Sequence, residues 1–86
     1  MMIELLTSPW CGMCATMKRM LGDSVEVVDV VAHPERRADV SLETVPVLVF
    51  RTDDGKKLGE HSGFMPRSKF EELVRKYEDE SARPTD

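Results

Sequence analysis

Only two cysteines, Cys11 and Cys14, occur among the 86 residues. That is too few for the disulfide framework on which small secreted domains depend. A basic segment is missing from the start of the chain, and the apolar stretch of "MMIELLTSPW" is interrupted by Glu4, so no secretory signal is expected. A long hydrophobic run is missing as well. The most apolar later stretch, "VEVVDVVA", is broken by Glu26 and Asp29 and is not a spanning helix. Positive charge is in deficit: 16 acidic against 12 basic residues leave a net charge of −4. That balance offers no long-range attraction to nucleic acid or to an anionic membrane. Short basic pairs stand at Lys18-Arg19 and Arg36-Arg37, and the second reads as a solvated face. These absences predict a cytoplasmic monomer with neither nucleic acid nor membrane as partner. In a reducing compartment, Cys-x-x-Cys is catalytic or metal-binding sooner than structural.

The composition is that of an ordinary globular protein, 41% hydrophobic and 33% charged. A chain of this size forms one domain that buries somewhat over ~60% of its unfolded surface, so its stability should be modest. The domain is expected over residues 1–80, with a polar tail at 81–86 that begins to fray after Glu78. Met2 to Thr7 reads as a strand ended by Ser8-Pro9. Cys14, Met17 and Leu21 recur at helical spacing, which predicts a helix over 11–21 closed by Gly22. Val25 to Val31, nearly continuous and β-branched, suits a strand buried on both faces. Pro34 opens a short helix through about Val40. "VPVLVF" (45–50) is the next strand, Asp54-Gly55 the tight turn, and Lys57 to Ser62 a more polar edge strand. Pro66 sits at a helix start, and Phe70, Leu73, Val74 and Tyr77 follow on one face. The order is β-α-β-α-β-β-α, an α/β domain with a mixed four-stranded sheet.

Cys11 and Cys14 fall across the start of the first helix, straight after a strand and a proline. A zinc site needs four ligands, and only His33 and His61 remain as further candidates, without metal-site spacing. No metal is expected within one chain, although the pair could bridge two molecules around a metal or cluster. Two buried thiols are the other bland reading. The helix start favours a third. Orphan N–H groups and the helix dipole there stabilise a Cys11 thiolate, while Cys14, one turn in and facing the core, stays protonated. Cys11 would attack a substrate disulfide, and Cys14 would resolve the mixed disulfide and leave Cys11–Cys14 oxidised. Gly12 and Met13, between them, tune the redox potential.

"WCGMC" after a strand, "TVP" at 44–46 and "SGFMP" at 62–66 before a helix together resemble the thioredoxin/glutaredoxin superfamily. The resemblance covers about residues 2–78. It implies the minimal thioredoxin fold, with strand order 2-1-3-4 and helices on the sheet's faces. It further implies a cis bond before Pro46, whose neighbours Thr44 and Val45 offer backbone groups to an extended substrate. Gly63 would let that substrate approach, with Phe64 beside it. Trp10 matches a tryptophan that shields the thiols, and is equally compatible with plain packing. Trp10, Met13, Val45, Phe64 and Met65 would make an apolar surface.

The Trp-Cys-Gly-x-Cys start is thioredoxin-like, whereas the length is that of a glutaredoxin. The Gly-Gly-x-Asp signature that helps glutaredoxins hold glutathione is absent. "SGFMP" is similar to the corresponding stretch of glutaredoxin-like redoxins that serve ribonucleotide reductase and draw on thioredoxin reductase. Two residues depart from thioredoxin. Leu5 stands where thioredoxins carry a buried aspartate, with Glu4 on the opposite face of the strand, and Met13 replaces a proline. Asp29 reads as a strand-end residue and His61 as a solvent-facing histidine on the edge strand.

The expected function is reduction of protein disulfides by Cys11 and Cys14, with no bound cofactor beyond that redox disulfide. Ribonucleotide reductase is one candidate substrate and a thioredoxin-reductase-type flavoprotein the electron donor. Glutathione as reductant is the alternative within enzymes. A thioredoxin-fold binding module with incidental thiols is the alternative from another class.

Overall fold

The computed structural model describes residues 1–82, with side chains through Glu80. Strand β1 (Met2–Thr7) lies inside the sheet, with β2 (Glu26–Asp29) parallel on one side and β3 (Val47–Arg51) antiparallel on the other. Strand β4 (Lys57–Ser62) closes the far edge, antiparallel to β3, in the order β2-β1-β3-β4. Helix α1 (Gly12–Leu21) follows β1, and helix α2 (Arg67–Ala82) ends the described chain. This is the thioredoxin fold.

Alternation along the strands divides the core. Leu5, Leu48 and Phe50 face Met17 and Leu21 of α1 and Phe70, Leu73 and Tyr77 of α2. On the opposite face Leu6, Val28, Val47 and Val49 pack beneath Val40, Leu42 and Val45 of the connection from β2 to β3. β3 is therefore buried on both faces, as an inner strand with no solvated side should be. At Gly59 in β4 an added Cβ would collide with the Tyr77 hydroxyl, so the glycine admits the aromatic ring.

The second face differs most from the expected arrangement. The helix expected from Pro34 to Val40 is a single 3-10 turn, Pro34–Arg37. Its sequence lacks an apolar period, and Val40 and Leu42 reach the core from an irregular segment instead. A charged cluster fills the remaining space. Glu4, 4% exposed, accepts from Arg51 Nε at 2.7 Å and from Arg36 Nη2 at 2.6 Å. Arg51 also donates two bonds to Asp39, at 2.7 and 2.8 Å, and Arg36 reaches Glu26 at 2.7 Å. Arg36 and Arg37 are consequently half-buried, not a solvated face.

Other boundaries move for local reasons. β2 spans four residues rather than Val25–Val31 and is an edge strand, with Val27 only half-buried. The Asp29 carboxylate accepts the N–H groups of Val31 and Ala32 at 2.9 and 3.2 Å and turns the chain away, as a strand-end residue does. β3 starts at Val47 because Pro46 has no N–H to give the ladder. Gly22 stays right-handed and begins a 3-10 turn, Gly22–Ser24, rather than forming a left-handed cap. α2 continues past Glu78 to Ala82; of the expected tail, residues 83–86 lie outside the described residues.

Candidate active site

The register gathers three loops at one end of the sheet. Leu6 pairs with Val47, and Val47 with Ser62. The exit of β1 toward Cys11, the entry to β3 at Val45-Pro46 and the exit of β4 at Gly63 are therefore neighbours. The Gly63 N–H donates to Pro46 O at 2.9 Å and ties two of these loops directly. The Val45–Pro46 bond is cis. Gly63 has φ +85°, a conformation L side chains rarely adopt.

Between β1 and α1 the chain turns at Ser8-Pro9, and the Cys11 N–H bonds back to Ser8 O at 3.3 Å. Cys11 is the N-cap of α1, extended at φ −98°, and its Sγ accepts the Cys14 N–H at 3.1 Å. A sulfur thus takes the place of the oxygen that caps most helices. The first turn of α1 holds no acidic residue to oppose the positive end of its dipole. Cys11 and Cys14 form a disulfide, with Cα atoms 5.2 Å apart. Cys14 is 3% exposed on the same helix face as Met17 and Leu21, whereas Cys11 is half-buried.

Trp10 is 82% exposed, and Met13 and Phe64 are half exposed, so these members of the expected apolar surface are open to solvent. Gly12 is exposed, with no atom near where a Cβ would stand. Thr44 is exposed and Val45 half-buried against the second-face core. Met65 does not join this surface. It is buried with Phe70 and Leu73, because the chain turns inward there to start α2.

A cleft of about 350 Å³ runs along the other side of the cysteines, lined by the end of β1, by Cys14, Ala15 and Lys18 of α1, and by Val27 and Asp29. Leu5 lies fully buried beneath, paired with Val27. Glu4 points to the opposite face, as strand alternation requires, and is engaged by two arginines there.

His61 is half-buried rather than open to solvent. Its Nε2 meets the Tyr77 hydroxyl at 2.8 Å, and its ring stands edge-on to Phe50. Burial, followed by Lys76 and Lys69, holds its pKa below the ordinary value of 6.5. His33 is exposed and lies 3.7 Å from Glu35. Among the described residues no group of three or more His, Cys, Asp or Glu is placed to hold a metal ion, and no helix is long and apolar enough to cross a membrane.

Sequence reading missed Arg37 and Glu60. Arg37 Nη2 donates to Leu42 O at 2.6 Å and to Thr44 O at 3.0 Å. Glu60 accepts the N–H groups of Ser41 and Leu42 at 3.0 and 2.9 Å, and its pKa is lowered, first by the Lys57 ammonium and then by these two donors. Both residues bind irregular backbone that only the folded chain brings within reach, so no local spacing announces them.

Sheet order, helix placement and a disulfide across the start of α1 define a class: the protein is a thiol–disulfide oxidoreductase of thioredoxin fold. A family model described as Glutaredoxin matches residues 3–54, and the chain belongs to that family. Its fold is similar to that of thioredoxin 1 from Thermosipho africanus, with a TM-score of 0.76 at 20% identity over 96% of this chain and 100% of that one. It is similar also to a mutant thioredoxin from Halobacterium salinarum, with a TM-score of 0.74 at 23% identity over 88% and 73% of the two chains. For a thioredoxin from Fasciola hepatica the TM-score is 0.60 at 26% identity, over 86% and 78%. No curated protein sequence matches the chain significantly.

Proposed function

We propose that the protein reduces disulfides in other proteins, with electrons supplied by a flavoprotein of the thioredoxin reductase type. The observation that carries this reading is the unequal setting of the two sulfurs: Cys11 caps a helix within reach of solvent, and Cys14 is enclosed. In the reduced protein the Cys14 N–H and the α1 dipole stabilise a thiolate on Cys11. That thiolate attacks one sulfur of the substrate disulfide, forming a mixed disulfide and expelling the other sulfur, which takes up a proton. Cys14 then loses its proton and attacks Cys11 Sγ. The Cys11–Cys14 disulfide forms, and the substrate leaves as a dithiol, reduced by two electrons. No bound cofactor is needed.

An extended substrate strand pairs with the backbone of Thr44 and Val45 beside Pro46 and passes over Gly63, where no side chain intervenes. Trp10, Met13 and Phe64 cover its apolar side chains, and Gly12 leaves room next to the sulfur under attack. The likeness of Ser62–Pro66 to redoxins that serve ribonucleotide reductase makes that enzyme's disulfide the first substrate to try, in the cytoplasm.

The Glutaredoxin family match favours a second reading, in which glutathione is the reductant. "SGFMP" in place of the Gly-Gly-x-Asp signature weighs against it. Exchange of reductants separates the two. Insulin reduction would be followed with NADPH and either thioredoxin reductase or glutathione plus glutathione reductase. Turnover with thioredoxin reductase is expected; turnover with glutathione alone would overturn this choice of donor.

A further inference from the structure

The segment leading to Pro46 has no helix above it and is tied down by charge at almost every step. Arg51 holds the Asp39 carboxylate, and the Lys57 ammonium takes Asp39 O at 2.6 Å. The Val40 N–H turns back to Arg37 O, and Glu60 receives the two N–H groups after it, those of Ser41 and Leu42. Arg37 bridges the carbonyls of Leu42 and Thr44 with a single nitrogen. After Thr44 come Val45 and the cis bond to Pro46. Two side chains from different elements, the 3-10 turn and β4, thus fix both the donors and the acceptors of one short stretch of backbone. Arg37 and Glu60 touch neither cysteine, and nothing in the exchange chemistry calls on them.

We propose that Arg37 and Glu60 are positioning residues that hold segment 41–45 in its substrate-pairing conformation, so that affinity for an extended protein strand depends on them and the thiol chemistry does not. This rests on the function proposed above. A strand that pairs with loose backbone must order that backbone as it binds, and the ordering is charged against affinity. Held in advance by charge-assisted hydrogen bonds, the segment is already in place. Arg37 matters through geometry as much as charge, because one donor nitrogen must reach two carbonyls at once.

The test compares the native chain with Arg37→Ala, Glu60→Ala and Glu60→Gln, using dithiothreitol as electron source so that the identity of the natural donor does not enter. Insulin is the protein substrate and bis(2-hydroxyethyl) disulfide the small one. Arg37→Ala and Glu60→Ala are expected to raise KM for insulin about tenfold with kcat little changed, the mark of lost uniform binding. The rate with the small disulfide and the Cys11–Cys14 potential should stay as in the native chain. Glu60→Gln keeps one acceptor oxygen and should fall in between; it also serves as the folded comparison if an alanine variant fails to fold. Native KM in all the folded variants overturns the clamp alone. So does a parallel change in KM, potential and small-disulfide rate, which would mark general damage. Failure of the native chain to accelerate insulin reduction overturns the proposed function itself and the clamp with it.

Discussion

Cys11 and Cys14 are separated by two residues and one helical turn, yet another protein can reach only one of them. Cys11 stands at the helix start, where the chain leaves the sheet, and Cys14 is turned toward Met17 and the core. In the mechanism proposed above, this asymmetry gives the attack to Cys11 and the release to Cys14. Cys14→Ser is therefore expected to accumulate a mixed disulfide with substrate through Cys11, whereas Cys11→Ser is not. Non-reducing gels with mass spectrometry of the linked peptides check this, and a link through Cys14 would reverse the roles. The helix start at the cysteines was legible from local pattern, whereas the cis bond before Pro46 and the place of Gly63 were implied by the family resemblance. Met65 and His61 were misplaced because exposure depends on where the neighbouring chain goes. Met65 turns inward with the start of α2, and Tyr77 arrives from sixteen residues away to cover His61.

Among the elements, the second face of the sheet shows charge doing what a helix was expected to do. The connection between β2 and β3 carries too few apolar residues for an amphipathic helix: beyond Val30, directly after β2, Val40, Leu42 and Val45 are the ones that pack on the core. Arg51 joins this connection to the sheet, since its guanidinium serves Glu4 in β1 and Asp39 in the connection together. Arg51→Met would leave Glu4, 4% exposed, with Arg36 alone. Breaking a buried pair from one side costs about 3 kcal/mol. Denaturant unfolding of the variant should show a loss of that order, and a loss below about 1 kcal/mol would mean that the network is worth no more than surface pairs. α1 and α2 were legible by helical period and the four strands by their apolar or β-branched runs and the turns between them, though β2 proved a shorter edge strand. The 3-10 turn was not, because Arg36 and Arg37 adopt it to meet partners on other elements.

The whole molecule should lose stability in two stages as pH falls. His61 has a folded pKa below its ordinary 6.5, first because it is buried and then because Lys76 and Lys69 of α2 oppose its charge, with Glu60 acting the other way. The folded state therefore binds fewer protons than the unfolded chain, and the contribution of His61, complete above pH 6.5, declines as pH drops below it. Asp39, beside Arg51, and Glu60, beside Lys57, are lowered from 3.8 and 4.5. Their contribution is complete above those values and is lost as pH falls through the folded ones. Thermal unfolding from about pH 8 to about pH 3 is expected to show both stages, and His61→Gln to remove the first. Parallel curves for native and variant protein between about pH 7 and pH 5 would disprove the assignment to His61.

What the sequence determined by itself was whatever local physics dictates: the periods of α1 and α2, the helix start that carries the cysteines and the turn at Asp54-Gly55. These depend on neighbours within a few residues, so one chain suffices to read them. The tertiary structure alone decided which face each side chain serves and which charges meet. Glu4 with Arg51, Glu60 with the backbone of Ser41 and Leu42, and Arg37 with Thr44 are partnerships across elements. Leaving water costs each charged group energy that only a well-placed partner offsets, and the partner is there only once the sheet has brought the two face to face.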